Sequence, residues 1–206
     1  GLLLVILFIN FSDVVGWTLK EFLFYLVLYD FLLVFVNLFF WSKDLVFDIP
    51  NGDLNQYINR PLNRLISYQF SRLSAETILQ VTISFCGLCG LFYYYQIGFI
   101  HSLFSLSILL LISLSFFIFK LCITSFSFYA IGFTKYLYKF ENNFFFIMQQ
   151  YPTPFFKQTI FFYILMFYPF FFIGSLLIPF ISGLKIWNVE FQFLILLLLT
   201  LLFSII

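Results

Sequence analysis

Long apolar runs alternate along this chain with short polar segments. A helix needs roughly 20 apolar residues to cross a bilayer, and lipid leaves only helices and closed barrels with satisfied backbone polar groups. Because the runs lack the strict alternation of barrel strands, we predict helices. The predicted spans are residues 1–9, 18–41, 77–97, 103–124 with an extension to 133, 161–179 and 191–206. The expected fold is an all-α, polytopic transmembrane helical bundle of about six spans.

The composition agrees with a single transmembrane domain that covers residues 1–206. Only 9% of the residues are charged and the mean hydropathy is +1.07, whereas soluble domains carry about 25% charged residues. The lipid bilayer is therefore an expected partner. The net charge of +1 gives no attraction to nucleic acid, which is not expected as a partner. The first and last apolar runs are shorter than a full crossing, so we expect both terminal spans to be truncated.

Lysine and arginine are unevenly distributed between the segments that join the spans. Cytoplasmic segments of membrane proteins carry the excess of these residues. Seven of them follow the second and fourth spans, and two lie on the opposite side: Lys43, Arg60, Arg64, Arg72, Lys135, Lys139 and Lys157 against Lys20 and Lys185. We therefore predict that both of these segments are cytoplasmic.

The most prominent polar segment is residues 48–75, between the second and third spans. Its Asn-Gly-Asp at 51–53 is a turn signal and can start a helix, and Pro61 suits an early position in a second helix. Over residues 62–73 the apolar side chains fall near one face, while Arg64 can face water. We predict a short amphipathic helix that passes movement between a soluble partner and the spans. The alternative is an ordinary loop whose arginines extend into lipid headgroups.

Two proline-containing regions shape the second half of the chain. Residues 134–150 mix charged and amide side chains with Tyr and Phe, which predicts an interfacial helix on the membrane surface. The Tyr-Pro-Thr-Pro at 151–154 ends that helix. Pro169 lies inside the fifth span and predicts a kink or break there. Pro179 and Gly183 are expected to mark the outer turn.

Two charged residues lie inside predicted spans. Asp30 is near the middle of the second span, where an ionisable group is costly and a functional role is the default hypothesis. Lys120 lies towards the cytoplasmic end of the fourth, close enough in depth for the two to pair. We hypothesise a role for Asp30 in a substrate path. The alternatives are a protonated or hydrogen-bonded interhelical acid at Asp30, and a Lys120 side chain that extends to the headgroups.

No set of residues in the sequence indicates catalysis, a cofactor or a metal. Cys86 and Cys89 have CxxC spacing but lie in an apolar span, so we interpret them as a buried pair of small side chains. His101, the only histidine, is assigned to a short outer loop without acidic or cysteine neighbours. No nucleotide-binding G-x-x-x-x-G-K-[ST] run occurs. The chain is not expected to be an enzyme.

The polar segment resembles the one after the second span in permeases of exporter-type (type-2) ATP-binding-cassette (ABC) transporters. Its bacterial branch carries a pattern like I-x-x-G-x-L-D-x-x-L-x-R-P-L-N. The residues at matching places are Ile49, Gly52, Leu54, Arg60, Pro61, Leu62 and Asn63. The acidic residue of the family is replaced by Asn55, with Asp53 two places earlier, which affects a polar contact and leaves the topology unchanged.

Three further parts of the chain resemble the same family, in the same order. Residues 16–18 (Gly-Trp-Thr), followed by Glu21, resemble the entry to its second span. Residues 151–152 resemble its Tyr-Pro approach to the fifth span. Pro169 and residues 170–183 resemble its proline-bearing fifth span and outer re-entrant turn. The resemblance therefore covers nearly the whole chain.

The resemblance implies a transport subunit that performs no chemistry itself. Two permease subunits, identical or paralogous, would form the path, and each would bind a soluble ABC ATPase on its cytoplasmic face. Movement of the ATPase would reach the spans through a coupling helix in residues 52–72. The residues expected to carry this coupling are Gly52, Leu54, Tyr57, Arg60, Pro61, Leu62, Asn63 and Arg64. The expected location is the plasma membrane.

Other hypotheses remain open at this point. The high Phe content and low charge also suit an organellar genome, and the chain could then be a structural or proton-handling subunit of an energy-converting complex in the mitochondrial inner membrane. A related alternative is the membrane subunit of the cytochrome c maturation transporter, which has a similar layout. A membrane enzyme is the third hypothesis, although no polar catalytic cluster supports it.

Overall fold

A computed structural model describes two long stretches, residues 17–39 and 73–129, and shorter stretches beyond them. Those are residues 136, 139–140, 143, 147–148, 151, 153–156, 165, 168–183, 192, 194–198 and 200–201. The described residues form helices and turns without strands, which confirms the all-α fold class. The structure does not describe the predicted span at 1–9, and it describes only some residues of the span at 191–206. The count of six spans therefore stays a prediction.

Three helices are long and apolar enough to cross a membrane within the described residues. They are α1 (Leu19–Phe39), α2 (Ala75–Tyr94) and α3 (Phe99–Tyr129). These helices lie where the sequence predicts the second, third and fourth spans. The main difference is that α3 begins four residues before the predicted start at 103, which places His101 in its first turn and not in a loop.

Side-chain caps fix where α1 and α2 begin. The carboxylate of Glu21 reaches back to the backbone N–H and the hydroxyl of Thr18, and so holds the first turn of α1. At α2, Ser74 accepts a hydrogen bond from the Thr77 backbone N–H at 3.2 Å. Each cap satisfies backbone donors that a helix start otherwise leaves open. The direction in which the chain enters each helix is thereby fixed.

A tight turn at residues 95–98 connects α2 to α3. The Ile97 N–H donates to the Phe92 carbonyl at 3.0 Å, and the Gln96 N–H donates to the Tyr93 carbonyl at 3.1 Å. This is a Schellman motif, in which the residue after the helix cap takes the left-handed conformation. Here that residue is Gln96, with φ of 52°. The turn therefore ends α2 and leads the chain into α3 within residues 95–98.

Helix α1 lies at the centre of the described structure and packs against every other major element. Half of its apolar span is buried, against 17% for α2. Aromatic contacts join it to its neighbours: Phe24 meets Phe92 of α2 at 5.7 Å between ring centroids, and Tyr29 meets Phe170 at 4.6 Å. The core is therefore built around one helix, with α2 on its more open side.

The predicted fifth span is interrupted around its first proline. At Tyr168–Phe170 the helix gives way to turns, because Pro169 lacks an N–H and its ring crowds the preceding turn. Tight backbone bonds, such as Phe171 N–H to the Tyr168 carbonyl at 2.9 Å, carry the chain past it. The predicted kink or break at Pro169 is confirmed.

A π-helical turn follows at Ile173–Leu177 and leads into a short helix, α4 (Ile178–Ser182). The Ile178 N–H bonds the carbonyl of Ile173, five residues earlier. This wider turn lies directly before Pro179, whose ring would otherwise meet the carbonyl four residues back. Pro179 therefore lies in the first turn of α4, which corrects its assignment to the outer turn. Gly183 ends α4 with a left-handed φ of 68°, as its predicted position in a turn requires.

Described residues that precede the fifth span pack into the same core. The Tyr25 hydroxyl of α1 donates a hydrogen bond to the Met148 carbonyl, and the 3₁₀ turn Thr153–Phe156 lies against the π-helical turn. Thr153 is buried and approaches Gly174 so closely that no side chain fits there. The described positions of the predicted interfacial segment at 136, 139, 140, 143 and 147 are helical and exposed; its placement on the membrane surface stays a prediction.

Candidate functional site

The structure does not describe the predicted coupling residues. Of the polar segment 48–75, it describes only residues 73–75. The undescribed ones are Gly52, Leu54, Tyr57, Arg60, Pro61, Leu62, Asn63 and Arg64. The structure does describe the two helices that this segment joins. Ser74 caps α2 directly after it, and its hydroxyl also lies 2.8 Å from that of Thr77, which is buried. A force on the segment would therefore reach α2 through a fixed helix start.

The second candidate site is Asp30, at the middle of α1. Its Oδ2 accepts a hydrogen bond of 2.8 Å from the Ser84 hydroxyl of α2. The side chain is exposed at the surface of the bundle. A carboxylate at the centre of a bilayer costs about 2.5–3.5 kcal/mol on insertion scales. The position of Asp30 is therefore costly if lipid covers this face of the protein.

Ser84 differs from most of the described serines and threonines of the helices in its hydrogen-bond acceptor. Thr82, Ser102, Ser105, Ser107, Ser113, Ser115 and Ser175 each donate to the carbonyl four residues earlier in their own helix. Ser84 instead donates across to Asp30. A hydrogen bond to a charged acceptor is stronger than one to a carbonyl. This bond holds the carboxylate in one orientation and fixes the register of α1 against α2.

Polar residues continue from this pair towards the N-terminal end of α2. Glu76, Gln80 and Ser84 are four residues apart and therefore lie along one side of the helix. The Gln80 amide donates to the Glu76 carboxylate at 3.3 Å, and both side chains are exposed. On α1, Asn37 lies two turns after Asp30 on the same side. We call these five residues the polar stripe.

Lys120 has surroundings unlike those of Asp30. It is only 7% exposed, and its Nζ lies 4.9 Å from the centroid of the Phe116 ring. A cation over an aromatic ring is stabilised by the ring quadrupole. The Lys120 side chain thus lies inside the bundle and does not extend to the headgroups. The described partner of Asp30 is Ser84, which agrees with the alternative of a hydrogen-bonded interhelical acid.

Helix α1, the bend at Pro169 and helix α3 meet in an aromatic cluster at the level of Lys120 and Asp30. Phe116 of α3 packs edge-on against Phe170 at 4.3 Å and against Tyr168 at 5.8 Å. Tyr29, next to Asp30 in sequence, completes the contact with Phe170. The cluster is buried and closely packed, whereas Asp30, Glu76 and Gln80 of the polar stripe are exposed.

Three residues singled out by the sequence have other surroundings in the structure. Cys86 and Cys89 are exposed on α2, which corrects their expected burial. His101 stacks on the Phe180 ring at 4.5 Å, and its Nε2 lies 3.0 Å from the Phe180 carbonyl. That contact ties the first turn of α3 to α4. Among the described residues, no group of His, Cys, Asp and Glu could hold a metal ion.

Sequence reasoning missed Ser84 and the polar stripe. A serine in an apolar span is unremarkable by itself, because it most often bonds its own helix. One signal was available, namely the four-residue spacing of Glu76, Gln80 and Ser84. What the sequence alone does not give is the register that brings Ser84 level with Asp30.

The apolar helices, the broken fifth span and the absence of strands in the described residues define a helical integral membrane protein. Comparison with protein families identifies it further: residues 2–206 match the family described as ABC-2 family transporter protein. The chain belongs to this family and is a permease subunit of an ABC transporter. The match confirms the resemblance found in the sequence. No curated protein and no solved structure matches the chain.

Proposed function

We propose that the chain couples ATP hydrolysis on a separate ABC ATPase to export of a substrate across the plasma membrane. It would act as one of two permease subunits, identical or paralogous, and would carry no catalytic residue. The observation that carries the proposal is the family match over residues 2–206, which includes the R-P-L-N segment. The distribution of Lys and Arg supports a cytoplasmic position for that segment.

The packing of α1 and α2 supports a route for the coupling. The proposed coupling segment joins the end of α1 to the capped start of α2. The two helices are held together by the Asp30–Ser84 bond and by ring contacts such as Phe31 with Phe85, at 6.0 Å. Close-packed elements move as rigid bodies. A displacement of the segment would therefore move both helices together and shift α1 against the aromatic cluster.

The polar stripe supports a path beside α1 that water or substrate can enter. Its side chains are unfavourable against lipid, whereas a water-filled path between two permease subunits would solvate them. We assign Asp30 to this path and not to the ATPase contact. This separates the two roles along the chain: residues 52–72 receive the movement, and the α1–α2 face meets the substrate.

A purification experiment tests the coupling proposal. The tagged chain is purified in mild detergent from its native membrane, and co-purifying proteins are identified by mass spectrometry. We expect a soluble protein with a G-x-x-x-x-G-K-[ST] sequence in near-stoichiometric amount. Arg60→Glu should abolish its recovery, because it reverses a charge in the coupling segment. The matched control is Lys43→Glu, the same reversal on the same side but outside residues 48–75.

Two results would overturn the proposal. Recovery of the ATPase unaffected by Arg60→Glu would exclude a contact through this segment. Co-purification of respiratory or ATP-synthase subunits, without any such ATPase, would instead favour a subunit of an organellar energy-converting complex.

A further inference from the structure

Helices α1 and α3 begin at the same side of the bundle, next to α4. Glu21, in the first turn of α1, lies beside Ser182 of α4. His101, in the first turn of α3, contacts Phe180 of α4. Both helices therefore end at the opposite side, where the chain leaves α3 at Tyr129. Residues that follow α3 nevertheless make contacts deep inside the bundle.

The first deep contact joins Tyr25 of α1 to Met148. The Tyr25 hydroxyl donates a hydrogen bond to the Met148 carbonyl, and both side chains are fully buried. Tyr25 is six residues after Leu19 and fourteen before Phe39, the two ends of α1, which corresponds to about 9 Å and about 21 Å along the helix. Because α1 is about as long as the hydrocarbon core is thick, roughly 30 Å, Met148 lies within the membrane.

The second deep contact joins Thr153 to the π-helical turn. Thr153 is 1% exposed, and a Cβ placed on Gly174 would lie 3.1 Å from the Thr153 Cβ. Gly174 follows Phe170, whose ring meets that of Tyr29 near the middle of α1 at 4.6 Å. Thr153 is therefore at membrane depth as well, on evidence that is independent of the Tyr25 contact.

From Thr153 the chain turns back towards the side at which it left α3. Tyr168 contacts Phe119 of α3, with the ring centroids 5.6 Å apart. Phe119 is twenty residues after Phe99, where α3 begins, which is about 30 Å along the helix. Thr153 lies nearer to α4 than this, beside Gly174. A segment that enters a membrane and turns back towards the same side is re-entrant.

The composition of this segment suits a position inside the membrane. No residue from 142 to 156 is charged, so no ion has to be moved out of water. The uncharged stretch is shorter than the roughly 20 residues that a crossing helix takes. Irregular backbone at this depth needs protein partners. The Tyr25 hydroxyl serves the Met148 carbonyl, and the Thr153 hydroxyl donates to the Phe171 carbonyl at 3.4 Å.

We propose that residues 147–156 form a re-entrant seal, which closes the space between α1 and the broken fifth span. Met148 and Thr153 fill this space so closely that neither water nor a solute passes on this side of α1. Passage is thereby confined to the side of α1 that carries the polar stripe, and only this consequence rests on the proposed function. The seal itself does not depend on an ATPase partner.

A cross-link between Thr153→Cys and Gly174→Cys tests the depth of the segment. The three native cysteines are replaced by alanine, native membrane vesicles are oxidised with copper phenanthroline, and free thiols are counted after unfolding in dodecyl sulfate. We expect a disulfide, because the two Cβ atoms lie close to the separation of about 3.5–4.5 Å that a disulfide has. The control pair, Thr153→Cys with Gly90→Cys, should keep both thiols free, since nothing lies within 4 Å of Gly90.

The passive proton leak of the protein in liposomes tests the seal. The chain is reconstituted with its co-purifying partners, an external acid pulse is applied, and enclosed pyranine reports the internal pH. We expect Met148→Ala to raise the leak severalfold, because the void next to the Tyr25 hydroxyl can hold water. Leu109→Ala is the matched control. It removes a buried side chain of α3, so it should lower the thermal midpoint without raising the leak.

Either measurement can overturn the seal. A folded Thr153→Cys, Gly174→Cys protein that keeps both thiols free would place the segment away from the π-helical turn, as would a helix that lies flat on the membrane surface. If this pair does not fold, as judged by gel filtration, the leak decides the question. A leak that is the same in Met148→Ala, Leu109→Ala and the wild type would show that the segment closes no passage. These outcomes leave the ATPase proposal untouched, since its test is co-purification.

Discussion

Glu21 and Asp30 are two acids on the same apolar helix, and their surroundings give them different roles. Glu21 is 5% exposed and its carboxylate caps α1 through Thr18. The cap is explained by local helix chemistry, and Ser182 of α4 lies beside the same carboxylate. Asp30 lies at mid-helix, is exposed, and bonds a hydroxyl on another helix. Local structure does not require an acid there, which is why we assign function to Asp30 and not to Glu21.

Gln96 is the residue whose backbone conformation most clearly conflicts with its side chain. Its φ of 52° lies in the left-handed region, which costs a non-glycine residue about 1–2 kcal/mol. We expect Gln96→Gly to raise the stability by about 1 kcal/mol and the thermal midpoint by roughly 2–4 °C. Thermal unfolding in one detergent measures this change.

Gln80→Gly provides the matched control for that prediction. Gln80 is an exposed residue within α2, so the same chemical change should lower the midpoint there, because glycine weakens a helix interior. A midpoint that falls in both variants would mean that the Gln96 side chain makes a contact worth more than its backbone strain.

At the scale of elements, the interrupted fifth span shows how two prolines change one helix in different ways. Pro169 replaces helical bonds by turns, while the π-helical turn before Pro179 allows the chain to stay helical. The wide turn is fully packed: Ile173, Gly174, Leu176 and Leu177 are buried. A π-turn in this setting can change to an α-turn by shifting one residue. Ile173–Ser182 packs against α1, so the wide turn is part of the core around that helix.

Gly174 tests whether the contact between the 3₁₀ turn and the π-helical turn is as close as the structure shows. A Cβ at Gly174 would overlap Thr153 Oγ1 and would lie 3.1 Å from Thr153 Cβ. We expect Gly174→Ala to destabilise the protein by about 1–3 kcal/mol, the cost of overfilling a packed site. The change is measured as a lower midpoint of thermal unfolding.

Two variants make that test specific. Gly90→Ala places the same methyl group on α2, where nothing lies within 4 Å, so its stability should stay equal or rise slightly. Thr153→Ala combined with Gly174→Ala should recover part of the loss, because it removes the overlapping oxygen. Equal stability of Gly174→Ala and Gly90→Ala would show that the two turns are not in contact in the membrane.

Hydrophobic length and side-chain chemistry predict the elements well, but not how they meet. The spans at 18–41 and 77–97 and the break at Pro169 follow from apolar runs and from a missing N–H, both of which are local. The helix α3 starts four residues before the predicted position, and its first turn contains His101, which contacts Phe180, far away in sequence. The Asp30–Ser84 bond and the Thr153–Gly174 contact also depend on distant residues. Such contacts set the register, and sequence periodicity alone does not contain it.

At the scale of the whole molecule, α1 connects the two proposed roles of the chain. Its end leads into the coupling segment, its middle carries Asp30, and its buried side packs on Phe170 beside the broken span. A single rigid helix that touches each of these regions provides a physical link between them. Few residues of α2 are buried. The polar stripe between α1 and α2 is therefore accessible to a ligand or a partner.

The direction in which the chain crosses the membrane decides whether this arrangement can work. Leu73 and Gln96 lie at opposite ends of α2, so single cysteines there report the two sides of the membrane. The native Cys86, Cys89 and Cys122 are first replaced by alanine. We expect a membrane-impermeant maleimide to label Leu73→Cys only in inside-out vesicles and Gln96→Cys only in right-side-out vesicles, because the segment before Leu73 carries the excess of Arg and Lys.

Labelling of both positions in detergent is the control that both cysteines can react. The reverse pattern in vesicles would place the R-P-L-N segment outside the cell, where no ATPase that uses cytoplasmic ATP could bind it. The coupling proposal would then fail even though the family assignment stood. The expected pattern would instead place Glu76 and Gln80 at the cytoplasmic side of the polar stripe, so that a substrate approaching Asp30 would enter from the compartment in which ATP is hydrolysed.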